Sequence, residues 1–165
     1  VRRQRLPVLG WKEQVALPDW GVPRLRAKLD TGARSSALHV VDITEVGTTE
    51  LDGVEVPLLS FGVLSGPRGR PTRHDITAPA LERKSVRDTG GKEEDRPVVR
   101  TRIVCGPVDV VADVTLTSRD LMNFRMLLGR LTLQGACLVD PALGYLHTPE
   151  PPPRTRGAPA AAPPA

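Results

Sequence analysis

Val22-Pro23-Arg24-Leu25-Arg26-Ala27-Lys28-Leu29-Asp30-Thr31-Gly32-Ala33-Arg34-Ser35-Ser36-Ala37-Leu38 is the stretch from which the fold of this chain can be read. Leu25, Ala27 and Leu29 alternate with basic residues, the period of a half-buried β-strand. The alternation stops at a short acid, which Thr31 and the turn-permissive Gly32 follow. The strand therefore delivers the Asp30 carboxylate to a turn at the end of a rigid element. Asp88-Thr89-Gly90 repeats the tripeptide without that setting, because charged residues surround it on both sides and no apolar strand leads into it. Asp88 reads as a solvated residue at a hairpin tip.

Strand signals continue outward from this point. Residues 14–17 and 24–29 flank Pro18-Asp19-Trp20-Gly21, whose composition favours a hairpin turn. Asp52-Gly53 lies between apolar alternations, a strong hairpin signal. Residues 98–104 and 108–116 bracket Cys105-Gly106-Pro107 and are rich in β-branched side chains. Residues 118–123 suit a single helical turn with Ser118 as its N-cap, and residues 131–134 a second short helix before a strand at 137–139. The expected fold is all-β, a small closed barrel with one or two short helices. It would occupy residues 8–148, between a frayed basic N-terminus at 1–7 and a disordered Pro/Ala-rich tail at 149–165.

A chain of 165 residues with 39% apolar and 3% aromatic residues supports one domain whose core is Leu, Val, Ile and Ala. The net charge of +4 is carried mostly by arginine and suits acidic ligands. Cys105 and Cys137 are too few and too far apart for a disulfide framework or a zinc pattern, and Cys105 ends a strand-like run as a core thiol. His39, His74 and His147 are scattered, so no metal site is expected, and no phosphate-binding G-x-x-x-x-G-K-[ST] loop is present. With no apolar run long enough to span a bilayer and no secretory leader pattern, the expectation is a soluble cytoplasmic protein without a membrane partner.

A second element fits Asp30. Phe124-Arg125-Met126-Leu127-Leu128-Gly129-Arg130 is an apolar-apolar-Gly step about a hundred residues downstream, and with the D-T-G-A it resembles the retropepsin-like aspartic peptidases. The resemblance extends over Leu9-Gly10-Trp11-Lys12-Glu13, Val15-Ala16-Leu17-Pro18, Ala27 to His39, Arg96-Pro97-Val98-Val99-Arg100-Thr101, Asn123 to Arg130 and Leu138-Val139-Asp140-Pro141. This set is similar to a bacterial family labelled ATP-dependent zinc proteases, which are retropepsin-like and associated with the ligase that adds glutamates to a ribosomal protein. The residues support neither the zinc nor the ATP of that label, so no cofactor is expected.

The resemblance implies an aspartic endopeptidase in which Asp30 is catalytic and Thr31, Gly32, Ala33 and Gly129 support the site. Peptide hydrolysis by carboxyls needs one acid protonated and one ionised, and two carboxyls about 3 Å apart meet that need because both cannot ionise at once and they share a proton. One chain supplies one such acid, so a homodimer is expected, with two Asp30 carboxylates meeting at a two-fold axis. The charged segment at 81–100 would be a flap over the substrate. Retroviral enzymes place an acid after D-T-G-A to pair with the arginine of the second motif, whereas this chain has Arg34 there. Arg130 then needs another partner, Asp120 or Asp140, and Arg34 becomes a candidate substrate-binding residue for acidic side chains. The expected partner is an acidic peptide or protein, in the family's terms a glutamylated ribosomal protein. A different reading is a non-catalytic basic β-barrel that binds acidic peptides or nucleic acid; the lack of an interleaved aromatic platform argues against nucleic acid.

Overall fold

Leu9, Val15, Leu17, Leu25, Ala27 and Leu29 all enter one core, and this is why residues 8–29 fold mainly as strands. In the computed structural model, which describes residues 5–87, 90–118 and 123–152, they form β1 (Val8–Gly10), β2 (Lys12–Leu17) and β3 (Val22–Leu29). β2 and β3 make the expected antiparallel hairpin. A 3-10 turn over Pro18–Trp20 joins them and ends at Gly21, whose φ of 65° suits a residue without a Cβ.

β4 (Ser36–His39) follows the Asp30 turn. β5 (Val41–Leu51) and β6 (Val54–Ser65) are joined by Asp52 and Gly53 at φ 50° and 78°, the two positive values that a type I′ hairpin requires. β7 (Thr72–Pro79) adds a third strand that the sequence reading did not anticipate. Its more buried positions are His74, Ile76 and Ala78, too weak an apolar series to announce a strand.

β8 (Glu82–Arg87), β9 (Glu93–Cys105) and β10 (Val108–Thr117) are successive antiparallel strands. The segment at 81–100 is thus a hairpin, although Asp88 and Thr89 at its tip lie outside the described residues. The β9–β10 turn is Gly106-Pro107, and a Cβ on Gly106 would lie 2.5 Å from the Cβ of His147. β11 (Met126–Leu128), α1 (Arg130–Leu133) and β12 (Leu138–Asp140) complete the regular structure of the described residues. α1 matches the helix expected at 131–134, whereas the turn expected at 118–123 falls largely on residues 119–122, outside the described residues.

The fold is all-β, with one short α-helix among the described residues, and six strands in the order β10-β4-β11-β3-β2-β9 close into a barrel through the pairing of β9 with β10. Closure removes free sheet edges along the core. β8 extends beyond β9, β1 pairs in parallel with β12, and β5-β6-β7 form a separate sheet. That sheet adds Leu59, Phe61 and Val63 to the barrel's core, where Trp20 meets Phe61 edge-on at 5.5 Å. No helix among the described residues is long and apolar enough to cross a membrane.

Among the described residues, one charged side chain is fully buried inside this framework. Glu13 is fully buried, and its Oε1 accepts hydrogen bonds from the Gly10 and Leu146 backbone amides at 2.9 and 2.8 Å, while Oε2 accepts one from the Thr148 hydroxyl. The carboxylate thereby fastens the segment after β12 across β1 and β2. Glu13→Ala would leave three donors without their acceptor, and a loss of about 3–4 kcal/mol in stability is expected. Urea unfolding of the two proteins measures it directly.

Candidate active site

The carboxylate of Asp30 emerges where β3 ends. Its backbone amide donates to the Leu128 carbonyl at 2.8 Å, so the last residue of β11 fixes the point at which β3 stops. The chain then turns tightly, and the amides of Gly32 and Ala33 both donate to Asp30 Oδ1, at 3.0 and 3.2 Å. The Ala33 amide is shared with the Asp30 carbonyl at 3.2 Å. A backbone nest of this kind favours the ionised carboxylate. A quarter of the Asp30 side chain remains exposed, so the acid is both held and reachable.

The second motif closes on this turn from below. A Cβ on Gly129 would lie 2.5 Å from the carbonyl carbon and oxygen of Ser35, so only glycine admits this approach. Around it, the Gly129 amide donates to Ser36 Oγ at 3.1 Å, the Arg130 amide to the Ala33 carbonyl at 2.8 Å and the Leu131 amide to the Arg34 carbonyl at 3.1 Å. Ser36 Oγ also bonds Thr132 Oγ1 at 2.6 Å, and its carbonyl accepts from Thr115 Oγ1 at 2.8 Å. Ser36 is therefore a buried junction among the turn, α1 and β10. Nothing in the sequence pattern distinguishes it from its neighbour Ser35.

Arg130 does not pair with an acid among the described residues. Its Nη1 donates to the carbonyls of Thr31 and Gly32, at 3.2 and 3.0 Å, and so grips the turn itself. Asp140 instead caps the Ala142 amide at 2.8 Å, and Asp120 lies outside the described residues. The turn brings together Asp30, Thr31, Gly32 and Ala33, with Gly129 directly behind. Thr31, Gly32 and Arg34 are exposed. A cleft of about 430 Å³ runs beside the turn, bounded by Ser35, Lys84, Arg100, Ala112, Leu131 and Thr132, with the β8–β9 hairpin on its far side.

Lys28 is the residue that the sequence reading missed. It lies two positions before Asp30, on the same face of β3, and its Nζ is 3.2 Å from Asp30 Oδ2. Burial works against ionisation of Asp30. The hydrogen bond and charge of Lys28, together with the Gly32 and Ala33 amides, outweigh burial and hold the carboxyl below its ordinary value of 3.8. The period-two spacing was the available signal.

The thiols take no part in this chemistry. Burial, with the charges of Glu13 and Cys137 behind it, pushes Cys105 up to about 12, and burial also raises Cys137. His74 bonds Ser65 Oγ and His147 bonds the Val8 carbonyl, both at 2.8 Å. Among the described residues, no group of three His, Cys, Asp or Glu side chains is placed to hold a metal ion.

Comparison with known proteins agrees with the geometry. The family described as RimB-like, retropepsin-like aspartic endopeptidase RimB, matches residues 8–150. A protein named "Probable alpha-L-glutamate ligase" from Parasynechococcus marenigrum is 38% identical over 136 residues, and one of the same name from Desulfotalea psychrophila is 33% identical over 136. These matches cover 81% and 82% of this chain, which spans 28% of the length of each of these curated relatives. The crystal structure of a Legionella pneumophila protein of unknown function (DUF785) superposes with a TM-score of 0.68 at 30% identity, over 86% of this chain and 98% of that one.

Lys28→Met removes the cation that offsets burial, so the Asp30 pKa is expected to rise. The sign for stability follows. A depressed carboxyl pKa stabilises the fold above the unfolded-state value and loses that contribution as pH falls through the folded-state value. The difference in stability between the protein and the variant should therefore be present above pH 3.8 and fade below it. Titration of the Asp30 carboxyl carbon by NMR, with urea unfolding across the same range, tests both statements.

Proposed function

The chain belongs to the RimB-like family of retropepsin-like aspartic endopeptidases, and from that premise we propose that it hydrolyses peptide bonds with two Asp30 carboxylates brought together in a homodimer. The observation that carries the reading is the Asp30 turn: an accessible carboxylate at a strand end, its Oδ1 held by two backbone amides and its loop clamped by Gly129 and Arg130. One ionised Asp30 activates a water. The other, protonated, polarises the scissile carbonyl and then protonates the leaving nitrogen. Lys28 favours the ionised form, so one Lys28 must release its carboxylate for the pair to hold the shared proton.

In this reading Thr31 braces the two turns against each other, and Gly32 and Ala33 keep the floor low for the substrate backbone. The β8–β9 hairpin closes over the cleft and excludes water as a lid. The substrate is proposed to be an acidic peptide or protein, specifically the glutamate extension of a ribosomal protein. Support comes from the relatives named for α-L-glutamate ligation, which contain a stretch similar to this chain, since a peptidase acting on their product would reverse the ligation. Arg34, exposed just past the turn, is available to pair with a substrate carboxylate.

The ion pair between Lys28 and Asp30 favours one competing reading. If it persists in every state, the carboxylate stays neutralised and the barrel is a non-catalytic binding module for acidic peptides. Asp30→Asn separates the two. It is expected to abolish cleavage of a glutamate-rich peptide, while Asp88→Asn leaves cleavage nearly intact. Specific activity should also fall on dilution through the dimer dissociation constant, whereas activity independent of concentration would rule out the shared dyad.

A further inference from the structure

The outward face of the β2–β3 hairpin carries a concentration of positive charge beside Asp30. Lys12 is the cross-strand partner of Lys28, and Gln14 that of Arg26, so Lys12, Arg26 and Lys28 occupy one half-buried face. Like charges placed opposite each other on a sheet are unfavourable. Among the described residues, of these three only Lys28 has an acid to meet, and that acid is Asp30.

Aromatic groups hold the other two cations. The Lys12 ammonium lies 5.2 Å from the Trp11 ring centre and 5.3 Å from that of Tyr145. The Arg26 guanidinium lies 5.2 Å from the Phe124 ring, and its Nε donates to Tyr145 Oη at 3.2 Å. Among the described residues neither cation forms an ion pair. A ring quadrupole positions a cation without cancelling its charge, so the field of both remains available to an anion.

The chain after β12 is shaped to build this arrangement. Tyr145 adopts φ 54°, a left-handed conformation that is strained for a bulky residue, and its amide donates to the Lys12 carbonyl at 2.8 Å. A Cβ on Gly144 would lie 2.6 Å from Lys12 Cε and 2.7 Å from its Cγ, so a side chain there would push the lysine away from the Tyr145 ring. Arg26 and Lys28 are separated by one two-residue step of a strand, about 7 Å, and same-side carboxylates of an extended acidic peptide recur at the same spacing.

We infer that Lys12 and Arg26, framed by Trp11, Phe124 and Tyr145, form a carboxylate-binding subsite for acidic side chains of a peptide whose backbone passes Asp30. The inference deepens the peptidase reading and rests on it for the position of the scissile bond. Lys28 joins this subsite when it releases Asp30.

The test is calorimetric binding of hexaglutamate and hexaglutamine peptides to the 165-residue chain and to two double variants, Lys12→Gln/Arg26→Gln and Lys12→Arg/Arg26→Lys, with thermal melting to verify folding. Losing the charges should weaken hexaglutamate binding by about tenfold or more, with little effect on hexaglutamine, and the charge-keeping pair should retain most of the affinity. Unchanged affinity in the Gln pair, or equal loss for both peptides, would overturn the subsite. So would tighter binding of a single-stranded oligonucleotide of matching charge. Should the Gln pair fail to melt cooperatively, Lys12→Gln alone is read in the same way. Hexaglutamate binding that depends on these charges, with no peptide cleaved, would remove the peptidase reading and leave the subsite standing. Cleavage with the same preference for acidic over neutral peptides in the parent and Gln-pair proteins would remove the subsite alone.

Discussion

Gly129 occupies a place where no side chain fits, with a notional Cβ 2.5 Å from the Ser35 carbonyl, and the geometry of the Asp30 turn depends on that contact. Because the two backbones meet so closely, the amides after Gly129 reach the carbonyls of Ala33 and Arg34, and the Gly129 amide itself reaches the Ser36 hydroxyl. Arg130 then completes the clamp on the carbonyls of Thr31 and Gly32. Five hydrogen bonds from one short segment thus hold the loop in place. The energetic return is orientation: an acid on a clamped turn spends little free energy on being positioned when the substrate arrives.

Holding the acid in place also determines its charge. The same turn that fixes Asp30 aims two amides at Oδ1, and the strand before it brings Lys28 to Oδ2, so both oxygens are satisfied in the ionised state. That state suits a base. It does not suit the proton-sharing partner that a dyad needs, since burial alone would favour the neutral form while Lys28 opposes it. In the proposed homodimer, Lys28 would be the element through which one sequence presents the two protonation states, engaged in one copy and released in the other.

Much of the fold was legible because it is local. Leu25, Ala27 and Leu29 announce β3, Asp52-Gly53 announces the β5–β6 hairpin, and the apolar-apolar-Gly step announces the contact behind Asp30. β7 was not legible, since its inward positions pair one isoleucine with a histidine and an alanine. The partner of Arg130 escaped for a different reason: a search for charge complements considers acids, whereas the actual acceptors are backbone carbonyls about a hundred positions away. Glu13 and its partners 133 and 135 positions downstream were equally hidden, because the burial of a lone glutamate is decided by where the chain's end comes to rest.

That last contact joins stability to the proposed carboxylate subsite. Glu13 accepts the Leu146 amide and the Thr148 hydroxyl, while the adjacent Lys12 carbonyl accepts the Tyr145 amide, so consecutive residues of β2 hold consecutive residues of the closing segment. The buried carboxylate faces the core, and the lysine beside it faces outward toward the aromatic rings, as the alternation of a strand requires. Tyr145 can keep its left-handed backbone only while the residues after it are fastened, since an unfastened segment would relax to a less strained conformation. Burying Glu13, costly in an apolar interior, therefore serves a purpose beyond the core: its hydrogen bonds hold the segment that places Tyr145 against Lys12 and Arg26, on the hairpin that leads into Asp30.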